Sequence, residues 1–159
     1  MKFAQGMIGA SPRDWPRLAK VCEEAGFDSV AISDHVLYPS YLTTRYPYTP
    51  DGTPLCSRDE DWPDPWVAIG AMSSVTTTLR FITNVYVLPL RNPFGVAKAV
   101  GTAAYLSDGR VGLGIGAGWM AEEFDLLEQP FARRGKRMDE MVEVTFTVSP
   151  RVRKLEAHT

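Results

Sequence analysis

Apolar and polar residues alternate with two different periods along the chain, and each change of period marks the edge of an element. Lys2 to Gly9 reads as a short strand. Ser11-Pro12-Arg13-Asp14 follows, with a capping serine, a proline at the first helical position and an acid. Trp15, Leu18, Ala19 and Cys22 then recur at i, i+3, i+4 and i+7, the buried stripe of a helix that Gly26 is placed to end. Phe27 to Ser33 (FDSVAIS) predicts a second strand, and Trp66 to Val75, opened by Asp64-Pro65, a second helix. Leu79 to Val87 (LRFITNVYV) predicts a third strand. Asn92-Pro93 caps a third helix, with Val96, Ala97, Val100 and Ala104 on one side. Ser107-Asp108-Gly109 turns the chain into a fourth strand, and Arg134 to Val144 predicts a fourth helix. The order β-α-β-α-β-α-β-α argues for an α/β fold with a parallel sheet and helical crossovers. An open doubly wound sheet and a piece of a (β/α)8 barrel both fit. A complete barrel takes about 250 residues, and this chain, with 159, holds four units.

Two segments break the regular pattern. Residues 36–65 form a polar insertion with prolines at 39, 47, 50, 54, 63 and 65 and tyrosines at 38, 41, 46 and 48. A loop of that length is either a mobile surface segment or a substrate lid. The stretch VGLGIGAGW (111–119) places glycine at 112, 114, 116 and 118. Glycine inside a strand weakens it, so something must come close to the bared face. A packed helix would serve. The expectation preferred here is a flat aromatic ligand lying against the strand.

Composition narrows the function classes. The chain is 45% hydrophobic and 23% charged, enough to bury a core. A net charge of −2 and a pI of about 5.7 point to neither a nucleic-acid nor an anionic-membrane partner. No apolar run approaches the ~20 residues that cross a bilayer. The start MKFAQGMIGAS is a poor secretion signal, so a cytoplasmic location is expected. Cys22 and Cys56 have neither disulfide-framework nor metal spacing, and His35 and His158 lie far apart, so no metal site is expected. Glycine at 114 and 116 would need another at 119 to make the dinucleotide fingerprint, and Trp119 stands there. Gly135-Lys136-Arg137 lacks the remainder of a phosphate loop, and no G-x-S-x-G elbow occurs.

Polar groups gather where strands end. The second strand runs into Ser33-Asp34-His35, the third carries Thr83-Asn84, and the fourth ends in Gly116-Ala117-Gly118-Trp119. In a parallel α/β assembly these carboxyl ends share one rim, where ligands bind. His35 is either a hydrogen-bonded loop residue or a proton-transfer group, for which an imidazole pKa near ~6.5 is suited. Asn84 is either satisfied against backbone or aimed at a ligand. Glu122 and Glu123 read as a solvated helix start.

The stretches AGFDSVAISDH (25–35), DPWVAIGAMSSVTTTLRFITNVYVLPLRNPFGVAKAV (64–100), LSDGRVGLGIGAGWMAEEF (106–124) and PFARRGKRMDEMVEV (130–144) together resemble the luciferase-like monooxygenase superfamily of (β/α)8 TIM barrels. Within it the chain looks most like the branch of oxidoreductases that use coenzyme F420, a deazaflavin. The resemblance implies a half-barrel of four amino-terminal βα units over residues 1–144. It also implies hydride transfer between reduced F420 and a small organic substrate, with an FMN-dependent monooxygenase as the alternative. A truncated, inactive half-barrel is the reading from another class. The resemblance implies His35 as the catalytic proton donor or acceptor, with Asp34 beside it. It implies a bulge at Thr83, Asn84 and Val85, with a non-proline cis peptide at Asn84-Val85. Gly116, Ala117, Gly118 and Trp119 would line the other side of the ring. A sugar-phosphate dehydrogenase branch carries an acid where this chain has Trp119, so that chemistry is not implied. Residues 145–159 (TFTVSPRVRKLEAHT) fit no family element and are expected to be a truncated or frame-shifted end. A homodimer that closes the barrel is expected of an active form.

Overall fold

Helix starts follow from local chemistry. The first is the exception: Pro12–Asp14 forms a 3-10 turn ahead of α1 (Trp15–Glu24), and the Ser11 side chain makes no cap bond, contrary to the expected capping role. Asp64 accepts from the Trp66 and Val67 amides at 2.9 and 3.0 Å and starts α2 (Pro65–Ser73). Asn92 accepts from the Phe94 and Gly95 amides at 3.0 and 3.2 Å and starts α3 (Pro93–Leu106). Both helices carry proline in the first turn, where a missing N–H costs nothing.

The computed structural model describes residues 1–148. Its strands β1 (Ala4–Gly6), β2 (Ser29–Ile32), β3 (Arg80–Thr83) and β5 (Val111–Gly112) form one parallel sheet in the order β1-β2-β3-β5. A second parallel pair, β4 (Tyr86–Val87) and β6 (Ile115–Gly116), continues the last two strands toward the carboxyl rim. Helix α1 packs on α2, α2 on α3, and α3 on α5 (Arg134–Val148), with the short α4 (Ala121–Leu126) between. Val30, Ile32, Phe81, Ile69, Met72 and Val100 fill the core between sheet and helices. No helix among the described residues is long and apolar enough to cross a membrane. Helix α5 passes the expected boundary at Val144 without a break. Residues 149–159 of the expected non-family tail lie outside the described residues.

The third and fourth strands are each divided, where the apolar pattern alone reads as continuous strands. Phe81 and Ile82 pair with Val111 and Gly112, whereas Tyr86 and Val87 pair with Ile115 and Gly116. Three residues (83–85) therefore face two (113–114), which is the one-residue excess of a β-bulge. The bulge contains the cis peptide Asn84-Val85 that the resemblance implied. Thr83 locks it to the next strand: its hydroxyl donates to the Gly114 carbonyl at 2.8 Å and accepts from the Gly114 amide at 3.0 Å.

The bulge accounts for most of the glycine alternation. A Cβ on Gly114 would sit 2.1 Å from the Thr83 carbonyl oxygen, and one on Gly116 would sit 2.5 Å from a Val85 methyl. At Gly118 it would meet Phe124 and Val87 at 2.7 Å each, and the backbone there has φ of +84°, a left-handed conformation that favours glycine. The bared face thus admits the protein's own bulge and Phe124 first. Of the readings the alternation left open, close approach by the protein's own atoms is therefore the one seen at Gly114, Gly116 and Gly118.

The opposite end of the sheet is tied by two charged side chains. The Arg110 guanidinium donates five hydrogen bonds, to Ser107, Ser73, Leu79 and Thr76 carbonyls and the Thr76 hydroxyl, joining the ends of α2 and α3 to the start of β3. Glu23 accepts from the Thr77, Thr78 and Leu79 amides at 2.6–2.9 Å. Those bonds, the one from Thr78 foremost, hold its carboxyl down at about 2.

Candidate functional site

Three strand ends converge on the carboxyl rim, each for a reason legible in its bonds. Leaving β2, the chain places Asp34 inward. Its carboxylate accepts from Arg91 at 2.6 Å and from the Val87 amide at 3.0 Å. Burial pushes this carboxyl up, and the adjacent Arg91 opposes the shift. Arg91 in turn donates to the Val87 carbonyl and lies 4.1 Å over the Tyr86 ring. Asp34 is therefore bonded to structure, tying β2 to the turn after β4.

His35 is held from one side. Its Nδ1 lies 2.9 Å from Glu123 Oε2, and both side chains are buried. The other Glu123 oxygen accepts from the Val36 amide at 2.6 Å and more weakly from Leu37 at 3.4 Å. A carboxylate fed by amide donors is the natural acceptor for an Nδ1–H, and this leaves Nε2 as the proton-exchanging nitrogen. Trp62 packs edge-on against the imidazole with centroids 4.8 Å apart, and Trp119 does so at 6.1 Å.

Glu122, on the same helical turn, holds the insertion. It accepts from the Thr43 and Thr44 amides at 2.7 and 2.9 Å and from the Thr43 hydroxyl. Burial alone would raise the Glu122 carboxyl, but the Thr43 and Thr44 bonds together outweigh it and hold it at about 2. Both acids are buried, 5% and 1% exposed, so the expectation of a solvated helix start at Glu122-Glu123 is corrected.

A cavity of about 720 Å³ opens between this rim and the insertion, within the size range of small-molecule and cofactor sites. Asp34, His35, Asn84, Val85, Gly116, Ala117, Gly118 and Trp119 all lie on its wall. Thr83 does not; it is buried behind the bulge as the Gly114 clamp. Asn84 spends its backbone groups on Ile32 and Ser33, and its side-chain amide has no hydrogen bond among the described residues. Val85 is 41% exposed beside it. The insertion supplies Tyr46, Tyr48, Leu55, Cys56 and Trp62 to the wall. Buried Trp62 Nε1 has no hydrogen-bond partner among the described residues. The Tyr46 ring meets Trp119 edge to face at 5.0 Å.

The residues that sequence reasoning missed here are Glu123, Arg91 and the insertion's aromatic wall. The Glu122-Glu123 doublet after the glycine run was a visible signal, but its partners lie about 80 residues earlier in the chain.

Comparison with known proteins agrees with the geometry. The luciferase-like monooxygenase family profile matches residues 2–153. An uncharacterised protein of Mycobacterium tuberculosis is 43% identical over 127 residues, 80% of this chain and 44% of that protein. The oxygenating constituent of 3,6-diketocamphane monooxygenase from Pseudomonas putida, solved with FMN, superposes with a TM-score of 0.69 at 20% identity, covering 91% of this chain and 38% of that one. An F420-dependent secondary alcohol dehydrogenase, solved with an F420-acetone adduct, gives 0.67 at 24% identity, covering 91% and 41%. At these identities the two structures show the fold alone. The chain spans less than half the length of the curated relatives it matches. The protein belongs to the luciferase-like monooxygenase family, and its four βα units correspond to about half of that family's (β/α)8 barrel.

Proposed function

We propose that the rim cavity is an oxidoreductase site in which a planar deazaflavin ring rests on the Asn84-Val85 bulge and the Gly116–Gly118 backbone. Reduced F420, when bound, supplies a hydride to a small organic substrate. The observation that carries this reading is His35 on the wall of the same cavity as the bulge, with buried Glu123 bonded behind it. The wall fits such a ring. It offers exposed Val85, a strip of backbone without bulky side chains, and the unengaged Asn84 amide for a ring-edge polar atom.

In this reading His35 Nε2 gives or takes the proton at the substrate oxygen, while Glu123 fixes the imidazole and accepts the Nδ1 hydrogen throughout. The Glu122–Thr43 tie keeps the insertion over the cavity, and Trp62 and Trp119 exclude water from the imidazole. An FMN-dependent monooxygenase is the second reading, favoured by the neighbour solved with FMN. The whole-protein activity, its small-molecule substrate and a homodimeric state are part of the proposal.

Titration of the purified protein with F420 and with FMN, read by cofactor fluorescence and paired with its mass in solution, tests the reading. Binding of F420 with turnover that His35→Ala removes is expected. Binding of FMN alone would select the second reading. Binding of neither would leave the inactive half-barrel.

A further inference from the structure

Two guanidinium groups on the cavity wall have no carboxylate partner among the described residues. Arg45 donates through Nη2 to the backbone carbonyl of Asp51 at 2.9 Å. The Asp51 carboxylate turns instead to Thr53, accepting from its amide at 3.1 Å and its hydroxyl at 2.8 Å. Arg134 donates through Nε to the Gly118 carbonyl at 3.0 Å and through Nη1 to the Phe131 carbonyl at 3.1 Å, lying 3.9 Å over the Phe131 ring. Carbonyl acceptors position a guanidinium but leave its charge uncompensated. The acid on the wall, Asp34, is already neutralised by Arg91. Neither Arg45 nor Arg134 is therefore matched by an ion pair, since the buried carboxylates of Glu122 and Glu123 are turned to Thr43, Thr44, Val36 and His35.

These two groups are built next to one feature. Arg45 immediately precedes Tyr46, and Arg134 is bonded to Gly118, which immediately precedes Trp119. Tyr46 and Trp119 are the two rings in edge-to-face contact. Arg134 keeps Nη2 and Arg45 keeps Nη1 free of hydrogen bonds among the described residues, while Arg45 Nε lies against Gly52. Planar donors of this kind suit an oxyanion with two or more acceptor oxygens.

We propose that this corner of the cavity is an anion subsite: the ligand carries a carboxylate or phosphate taken by Arg45 and Arg134, with its apolar body against Tyr46 and Trp119. The inference rests on the cavity being a ligand site, as proposed above, and adds the chemical class of what it takes. The oxyanion belongs either to the substrate or to the cofactor's own phosphate.

Isothermal titration with phenyl phosphate, benzoate and neutral benzyl alcohol tests it on the wild type and on Arg45→Gln. The wild type should prefer both anions over the alcohol by about tenfold or more, as expected of charged hydrogen bonds. That preference should shrink with added salt and vanish in Arg45→Gln. Arg134→Lys, which keeps the charge but not the fork, should weaken it in part. Equal binding of all three probes by the wild type, or a preference that survives Arg45→Gln, would overturn the proposal. A parallel titration with FMN and riboflavin identifies the source. If Arg45→Gln brings FMN down to the level of riboflavin, the subsite holds the cofactor's phosphate. If the variant loses the anion preference while FMN keeps its wild-type affinity relative to riboflavin, it holds the substrate's oxyanion. Riboflavin or F420 binding without any anion preference would sink the subsite and leave the oxidoreductase reading standing. An Arg45-dependent preference with no ring binding would do the reverse.

Discussion

Replacing Gly114 by alanine tests the link between the bulge and the glycine ribbon. The new Cβ would lie 2.1 Å from the Thr83 carbonyl oxygen and 3.3 Å from its carbon, both backbone atoms that cannot swing aside. Relief requires β3 and the 113–114 link to move apart by more than an ångström in order of magnitude, since ordinary carbon contacts begin near ~3.5 Å. That movement breaks the two Thr83–Gly114 hydrogen bonds and the bond from the Tyr86 amide to the Gly114 carbonyl. Three bonds at about 1 kcal/mol each amount to roughly 3 kcal/mol. Overpacking adds about 1–3 kcal/mol, for a total near 4–6 kcal/mol. Domains have only about 5–15 kcal/mol to lose. Gly70, inside α2, is the control, because a Cβ there would meet nothing within 4 Å. Gly70→Ala should gain about 0.5–1 kcal/mol from helix propensity. Urea denaturation followed by circular dichroism reads both variants against the wild type. A Gly114→Ala protein within about 1 kcal/mol of wild type would refute the account of the ribbon.

Other consequences follow from the same contacts. Glu123→Gln loses the carboxylate that accepts from His35 Nδ1, and turnover in an active form should fall about 100-fold while the circular dichroism spectrum is kept; unchanged turnover would remove Glu123 as a positioning residue. Glu122 and Glu23 are both held at about 2, below their ordinary value of 4.5, so their contribution is present above about 4.5 and lost as pH falls toward 2. The urea midpoint should therefore drop across that window, and the double variant Glu122→Gln/Glu23→Gln should show a shallower drop; an identical profile would count against both ties. Arg110→Met strands four carbonyls at the far end of the sheet and should cost about 3 kcal/mol or more of stability. Riboflavin binding by the folded fraction should be unaffected, and an altered affinity would show that the two ends of the sheet are coupled.

Much of the fold was legible because its signals are local. Asp64-Pro65 and Asn92-Pro93 start helices through oxygens two and three residues from the amides they accept. The stripe from Trp15 to Cys22 is buried as its period requires, with Trp15, Ala19 and Cys22 all in the core. The break within the third strand came from family resemblance, since LRFITNVYV alone reads as one run. The failures are long-range. Nothing local to Glu122-Glu123 reveals that Thr43 and His35 fold back onto it, and two adjacent acids are ordinarily solvated. Nor does the apolar run around Thr83 reveal that its hydroxyl is bonded to Gly114 of the neighbouring strand.

The division of labour between the two ends of the sheet explains why a glycine-poor site would not work here. At the end held by Arg110 and Glu23, charged side chains satisfy backbone groups and lend rigidity. At the rim, the same strands must bend around a bulge and still present a smooth wall. Gly114 lets the bulge pack, Gly118 takes the left-handed turn, and both lie in a single run that goes on to Glu122 and Glu123. That run positions the ribbon, the aromatic Trp119 and the acid that orients His35 within thirteen residues of one another, from 111 to 123. A change that shifts the ribbon should therefore move His35 as well, and loss of Nδ1 anchoring in Gly114→Ala, visible in the imidazole NMR signals, would show the two to be one unit.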